Sequence, residues 1–422
     1  MFQPHLICRA CPPPPSVAAG IKAPAPENPL MPVFSLGVQP LANDWKKLGE
    51  PRAGYAPLEV LLCPQCNLAQ LSVVVDPAIM YWRYLYVTSQ SAMMRAHFDA
   101  LWRDVSAGRE IKTVLEIGSN DGTLLACLHD SYGVPNVSGI EAATNLSVEA
   151  VKRGIPTTCG FFSAALAEHW LDGKQPPDLI LARHVLCHVD DWRDFFKGIE
   201  TLCGPQTLVV IENPWVQDVL DNDSFDQIYH EHLSYLSIRS ILSVLCGTTL
   251  QLARVVHYPI HGGAIALMIQ RVDAKEGMLG VDPSVAEFVA KEDAGLRAWS
   301  HFNMNVRWLQ QEVAGVIRDL RQSGKTVAAL GASAKATVWA NACRFTRKDI
   351  AWVADSTLAK QYTTVPGTDI PVVDEGAIIR DLPDYVLNFA WNFWGQEMAD
   401  KFEFYRQKGG KFILPVPRLR IV

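Results

Sequence analysis

The stretch Val114-Leu-Glu-Ile-Gly-Ser-Asn-Asp-Gly122 decides how the rest of the chain is read. A short apolar run stops at one glycine, and a second glycine stands where a helical pattern begins. Without a Cβ, Gly118 and Gly122 let a ligand approach the backbone closely. The next apolar run ends in Glu141, 23 residues beyond Gly118, where a carboxylate suits a ribose hydroxyl pair. A further run, Leu179-Ile-Leu-Ala-Arg-His184, follows it. Together they predict a nucleoside-type cofactor at the ends of buried strands. The bland alternative is a structural strand-to-helix turn with Glu141 solvated. The loop is not G-x-G-x-x-G, which disfavours a nicotinamide-dependent reductase.

Outward from this stretch, apolar runs alternate with helical ones. Strands are predicted at 113–117, 137–141, 179–182, 208–212, 250–257 and 264–270, with helices at 144–153, 163–171 and 191–202. Strand–helix alternation points to a mostly parallel sheet covered on both faces. The last two strands, joined through Pro259-Ile-His-Gly-Gly263, read as a hairpin at its end. A helical stretch, 89–107, precedes the sheet, and a long one, 283–322, follows it. The pattern then restarts: strand 326–330, Gly331, helix 334–343, and a strand at 350–354 before Asp355, with further strands at 385–389 and 412–415. The fold class is therefore α/β, with two related modules.

The N-terminal region differs in kind. Twelve of the 27 prolines fall in the first 60 residues, which argues against a regular helical or sheet domain there. Two C-x-x-C pairs, Cys8-Arg-Ala-Cys11 and Cys63-Pro-Gln-Cys66, offer a staple instead, since four thiolates suit tetrahedral zinc. The other six of the ten cysteines are scattered among apolar neighbours and read as small core residues. The 422 residues suggest two or three domains. A net charge of −6 argues against nucleic acid or anionic membrane as partners. No apolar run reaches the ~18 residues of a membrane span, and no signal peptide is evident. A cytoplasmic protein is expected.

A third constellation is Tyr229-His-Glu-His232. Its spacing is not that of a metalloprotease helix, but imidazole, carboxylate and phenol supply a proton acceptor, an orienter and a donor. The cluster Tyr84-Leu-Tyr86-Val-Thr-Ser-Gln90 is more ambiguous, since aromatics there also suit packing under the zinc segment.

In this order, the pieces resemble the three-domain, zinc-containing S-adenosylmethionine-dependent methyltransferases that act on carbon 3 of nucleotide-linked 4-keto deoxysugars. The resemblance runs through Phe34–Asn43, Pro57–Leu71, Glu116–Gly122, Tyr229–His232, His261-Gly-Gly263, Asp355 and Gly409–Pro417. It implies a zinc-binding domain at 1–75, a Rossmann-like methyltransferase domain at 76–282, and a related substrate-binding domain at 283–422. S-adenosylmethionine and a structural Zn²⁺ would be the cofactors. Cys8, Cys11, Cys63 and Cys66 would hold the metal. Glu116, Gly118, Asn120, Asp121, Gly122, Glu141 and His184 would serve the cofactor.

The resemblance makes His232 the base, with Tyr229 and Glu231 beside it and Tyr86 facing the substrate. Tyr84, His261, Gly262, Ser333, Lys335 and Asp355 would contact the substrate, a nucleotide-diphosphate sugar. A monomer with no nucleic-acid or membrane partner is expected. Departures from the family pattern are His184 for an asparagine, Ala264 for a serine, Ala142-Ala143 after Glu141, and Ala336 for a glycine. The rival readings are methylation of a non-sugar carbon acid, the reductase, and a zinc module carrying a dead enzyme core.

Overall fold

The computed structural model describes residues 1–12, 29–82, 84, 85, 87, 92–273 and 279–422. Tyr86 lies outside the described residues. At the N-terminus, β1 (Phe2–Pro4) pairs antiparallel with β5 (Val73–Val75). A second antiparallel sheet holds β2 (Met31–Pro40), β3 (Tyr55–Leu62) and β4 (Ala69–Leu71). The expectation that prolines would keep this region from forming regular sheet is thus wrong. The prolines are placed where a ladder tolerates them. Pro32 adjoins a register shift, Pro40 ends the edge strand β2, and Pro57 lies outside the stretch of β3 that pairs with β4. The fourth strand of this sheet, Ser234–Tyr235, comes from far along the chain and pairs with β4. It follows directly on the Tyr229–His232 stretch.

The central sheet contains β6 (Thr113–Ile117), β7 (Asn136–Glu141), β8 (Thr157–Cys159), β9 (Leu179–Arg183) and β10 (Leu208–Pro214). With Ser234–Tyr235 counted as β11, β12 (Leu250–Tyr258) and β13 (Ala264–Arg271) complete it. The order is β12-β13-β10-β9-β6-β7-β8, parallel from β10 to β8 and antiparallel at the β13 and β12 end. Its continuous apolar runs have a simple cause. Leu115, Ile117, Ile180, Ala182, Val209 and Ile211 pack on one face. The intervening Val114, Leu179, Leu181, Leu208 and Val210 pack on the other. A parallel sheet buried on both sides needs apolar side chains at every position.

The chain reverses direction across the sheet at β6, with β7 on one side and β9 on the other. Ligands bind at the carboxyl ends of strands beside such a switch point.

The C-terminal sheet repeats the plan with β14 (Val327–Leu330), β15 (Val353–Asp355), β16 (Val372–Asp374), β17 (Tyr385–Asn388), β18 (Lys411–Leu414) and β19 (Arg420–Ile421). Their order is β16-β15-β14-β17-β18-β19. The helical region expected over 283–322 consists of two helices, Pro283–Lys291 and Leu296–Gln322. Between them the buried Glu292 carboxylate accepts from Trp215 Nε1 at 2.8 Å and Ile238 N at 2.7 Å. Those tertiary bonds fix the break, and Gly295 caps the second helix. Among the described residues, no helix is long and apolar enough to cross a membrane.

Candidate active site

A cavity of about 510 Å³ opens at the carboxyl ends of β6, β7, β9 and β10. On one side it is lined by Gly118, Asn120, Glu141, Arg183 and His184. Gly118 has φ 69°, and its N–H donates to Ile140 O at 2.7 Å. A Cβ at this position would overlap Val185 Cγ2. Glu141 ends β7 with both carboxylate oxygens engaged, accepting from Asn120 N at 2.8 Å and Ala143 N at 2.7 Å. Burial raises its pKa, and these backbone bonds oppose the shift.

Three residues expected at the cofactor do not line this cavity. Glu116 is buried beneath the loop and accepts from Arg183 Nε and Nη2 at 3.1 and 2.9 Å. Burial pushes its carboxyl up to about 7, with Arg183 pulling the other way. Asp121 is ion-paired with Arg153 at 2.9 Å. Gly122, at φ 74°, backs onto Ala150 and Ile155. An acidic residue next to a glycine loop is as useful for bracing the loop as for touching a ligand. Here Glu116 braces, and the cation it holds, Arg183, reaches the cavity.

His184 also lines the wall, at φ 52°. Its N–H donates to Glu212 O at 2.6 Å, and its Nε2 lies 3.3 Å from Glu212 Oε1. Glu212 is fully buried and also meets His97 Nε2 at 2.6 Å. Burial works against its ionisation, but the two imidazoles outweigh that and hold its pKa well below the usual carboxylate range.

The cavity is lined as well by Tyr81, Tyr84, His188, Gln227, Tyr229, His232, His261 and Lys335. His232 Nδ1 lies 2.8 Å from Gln227 O, and its Nε2 lies 2.7 Å from Tyr229 Oη. A carbonyl can only accept, so Nδ1 carries the proton and Nε2 presents its lone pair to the phenol. Burial keeps this imidazole neutral, with its pKa well below the ordinary value, and His188 adds to the effect. His188 is arranged the same way, with Nδ1 2.6 Å from Glu231 O. Burial lowers its pKa to about 4.

Glu231 does not orient His232. Its carboxylate turns instead to Asn43 Nδ2, at 2.7 and 2.9 Å, and to Tyr84 Oη at 3.3 Å, outside the cavity lining. Burial raises it to about 7. Tyr229–His232 is a turn closed by His232 N donating to Tyr229 O at 2.9 Å, and within it Glu231 and His232 serve different neighbours. His230 is buried, with Nε2 bonded to Ala56 O at 3.1 Å.

The C-terminal module closes the far end. Asp226, just before the motif, accepts at Oδ2 from Trp339 Nε1 at 2.9 Å and Trp391 Nε1 at 2.6 Å. Lys335 lies over Trp391 and donates to Asn392 Oδ1 at 2.7 Å. Burial lowers its pKa to about 8. His261 lines the cavity, but Gly262 does not; a Cβ on Gly262 would press to 2.9 Å from the Trp391 ring. Ser333 caps the helix Ala334–Ala342 from outside the lining. Asp355, also outside it, accepts from Thr357 N at 2.8 Å.

Residues missed by sequence reasoning include Asn43, Tyr81, Arg183, His188 and Gln227. Asn43 meets Glu231 across 188 residues, a separation that leaves no local pattern.

The four cysteines converge as their spacing implied. Their Sγ atoms lie within 4.8 Å of one another, with Cys8–Cys66 at 3.6 Å and Cys11–Cys63 at 3.8 Å. Tetrahedral zinc with ~2.3 Å bonds to sulfur separates its ligands by about 3.8 Å. The four fit that ion, and all are buried.

Three family models match the chain: a zinc binding domain at 27–81, a methyltransferase domain at 90–251, and a C-methyltransferase C-terminal domain at 259–417. Among curated proteins, the C-methyltransferase NovU of Streptomyces niveus is 30% identical over 400 residues, covering 92% of this chain and 94% of NovU. Among solved structures, the mitomycin 7-O-methyltransferase MmcR matches at 18% identity and a TM-score of 0.33, over 43% of this chain and 56% of its own. A methyltransferase from Anabaena variabilis matches at 13% and 0.35, over 44% and 87%.

The fold and site thus define an S-adenosylmethionine-dependent methyltransferase that carries a zinc-binding domain. More narrowly, the chain belongs to the C-methyltransferase family that includes NovU.

Proposed function

We propose that this enzyme methylates a carbon next to a ketone, namely carbon 3 of a nucleotide-linked 4-keto deoxysugar. The observation that carries the proposal is the Tyr229–His232 pair, a neutral imidazole whose lone pair meets a phenol, both residues lining the cavity. Bound S-adenosylmethionine would supply an electrophilic methyl group, and Gly118, Asn120, Glu141 and His184, which line the cavity, would hold it. His232 Nε2 accepts the proton from the carbon next to the ketone. Tyr229, released from Nε2 by the substrate, donates to the developing enolate oxygen. Holding the carbon acid and the methyl group in register within the cavity lowers the entropic part of the barrier. Lys335, which the C-terminal module contributes to the cavity lining, suits a diphosphate. Similarity to the C-methyltransferase NovU over nearly its whole length supports carbon as the atom methylated.

Incubation with methyl-labelled cofactor and a panel of nucleotide-linked keto sugars tests this. Label should enter carbon 3 of a 4-keto sugar. Label in a non-sugar carbon acid, with none in the sugars, would refute the acceptor while leaving C-methylation intact.

A further inference from the structure

The loop between the first two cysteines holds an arginine that metal binding does not require. Arg9 is 2% exposed, and its side chain is completely enclosed. Its Nε and Nη2 donate to Asp190 Oδ1 at 3.1 and 2.9 Å, and its Nη1 donates to Leu233 O at 3.3 Å. Asp190 lies two residues after His188, and Leu233 one residue after His232. One guanidinium therefore ties together the two segments that carry the facing imidazoles, whose ring centres are 5.1 Å apart.

The guanidinium is itself anchored. Arg9 N donates to Gln70 Oε1 at 3.1 Å, and Gln70 Nε2 donates to Ile7 O at 2.9 Å. Leu233 O accepts a second bond, from Leu71 N at 2.9 Å, and β11 pairs with β4 at Ser234 and Gln70. Ser237 Oγ donates to Cys66 O at 2.8 Å. The cysteine loops thus grip the strand that follows the motif from both pairs. A buried cation is costly unless fully paired. Zinc explains the cysteines but not a wholly buried arginine whose guanidinium bonds Asp190 and Leu233.

We propose that Arg9 is a positioning residue for the imidazole pair: the metal-bound loop holds it, and it sets the spacing between His188 and His232. The catalytic consequence rests on the proposed methyl transfer; the structural clamp does not.

The test uses full-length, zinc-loaded Arg9→Gln and Arg9→Lys. Lysine keeps the charge, but a single ammonium cannot reproduce the fork that reaches both Asp190 and Leu233. Elemental analysis should find one zinc per chain in both, and calorimetry should find cofactor affinity within about threefold of the unaltered protein. Hydrogen exchange without substrate should rise ~10-fold in the peptides covering 186–190 and 228–237, as expected when a local clamp opens. The kcat for methyl transfer should fall ~10²-fold with KM for the acceptor nearly unchanged, the effect of an ångström-scale misplacement. Unaltered exchange and kcat in zinc-replete variants would overturn the proposal. Loss of zinc in step with loss of protection would overturn it too, since Arg9 would then be part of the metal scaffold. If Arg9→Gln does not fold, Arg9→Lys decides by the same readings. Failure of the unaltered enzyme to methylate any keto sugar would refute the acceptor assignment, while the exchange result would still judge the clamp.

Discussion

The central and C-terminal modules begin alike and end in different uses. In each, an apolar strand stops at a left-handed glycine and a helix follows, with Gly118 at φ 69° and Gly331 at φ 89°. In each, the neighbouring strand ends in an acid, Glu141 or Asp355. In the central module, Gly118 lines the cavity with Val185, another lining residue, against its Cβ position, and Glu141 is held at the cavity wall by two backbone donors. In the C-terminal module, a Cβ on Gly331 would meet Ala390 Cβ at 2.8 Å, and Asp355 is satisfied by its own turn. There Lys360 Nζ also bonds Ala332 O at 2.7 Å, across the end of the strand–helix turn. The glycine of the same motif borders the cavity in one place and packs against Ala390 in the other, so a strand–glycine–helix signature announces a fold before it announces a cofactor.

The largest expected effect separates the catalytic side of the central module from everything else. His232→Asn should leave cofactor binding intact and lower methyl transfer by roughly 10²–10⁴-fold, the scale of a lost general base. Deuterium exchange from solvent into the acceptor should fall with it. Near-normal turnover in His232→Asn, together with inactive Tyr229→Phe, would make the phenol the base.

Matched glycine substitutions test the contrast between the modules directly. Gly118→Val combines a disfavoured left-handed conformation with overlap onto Val185, and should weaken cofactor affinity by ~100-fold or more. Gly331→Ala meets Ala390 instead and should cost about 1–3 kcal/mol of stability, with cofactor affinity unchanged by calorimetry. Equal loss of cofactor affinity in both variants would erase the distinction.

The matched acids should differ less. Glu141→Ala should weaken the cofactor by ~10-fold, the scale of a lost charged hydrogen bond. Asp355→Ala, which removes only a turn bond to Thr357 N outside the cavity lining, should leave cofactor affinity and acceptor KM alone.

The smallest effect concerns pH. Burial lifts Glu231 to about 7 in the folded protein, against an ordinary value of 4.5. Between those values the unfolded chain loses its proton while the folded one keeps it. Glu231 therefore costs progressively more stability as pH rises from 4.5 to 7, and a constant amount above that. Glu231→Gln should raise Tm by a few degrees at pH 8, with the gain vanishing near pH 4.5. A pH-independent difference in Tm would place the carboxylate in a more polar setting.

Much of this was legible because it rests on local rules. The β6 run, its glycines and the acid ending β7 are short-range patterns, as are the two C-x-x-C pairs and the polar motif at Tyr229–His232. The errors share a cause. Proline counts excluded sheet near the N-terminus because composition does not say which strand is an edge. Helix periodicity over 283–322 carried no sign of Glu292 being drawn away to Trp215 and Ile238. The Glu116-x-Gly118 pairing could not reveal that Arg183 would claim the carboxylate.

The sequence by itself determined the α/β class, the doubled module, the four converging thiols and the identity of the imidazole motif, because periodicity and spacing act within one element or its neighbour. Only the tertiary structure decided which atoms face the cavity. It bonded Tyr229 rather than Glu231 to His232, brought His188 opposite it, joined Asp226 to two tryptophans of the C-terminal module, and ran Arg9 from the cysteine loop to Leu233. Those pairings span up to 224 residues, and they are set by where packed layers bring side chains together, which no local pattern encodes.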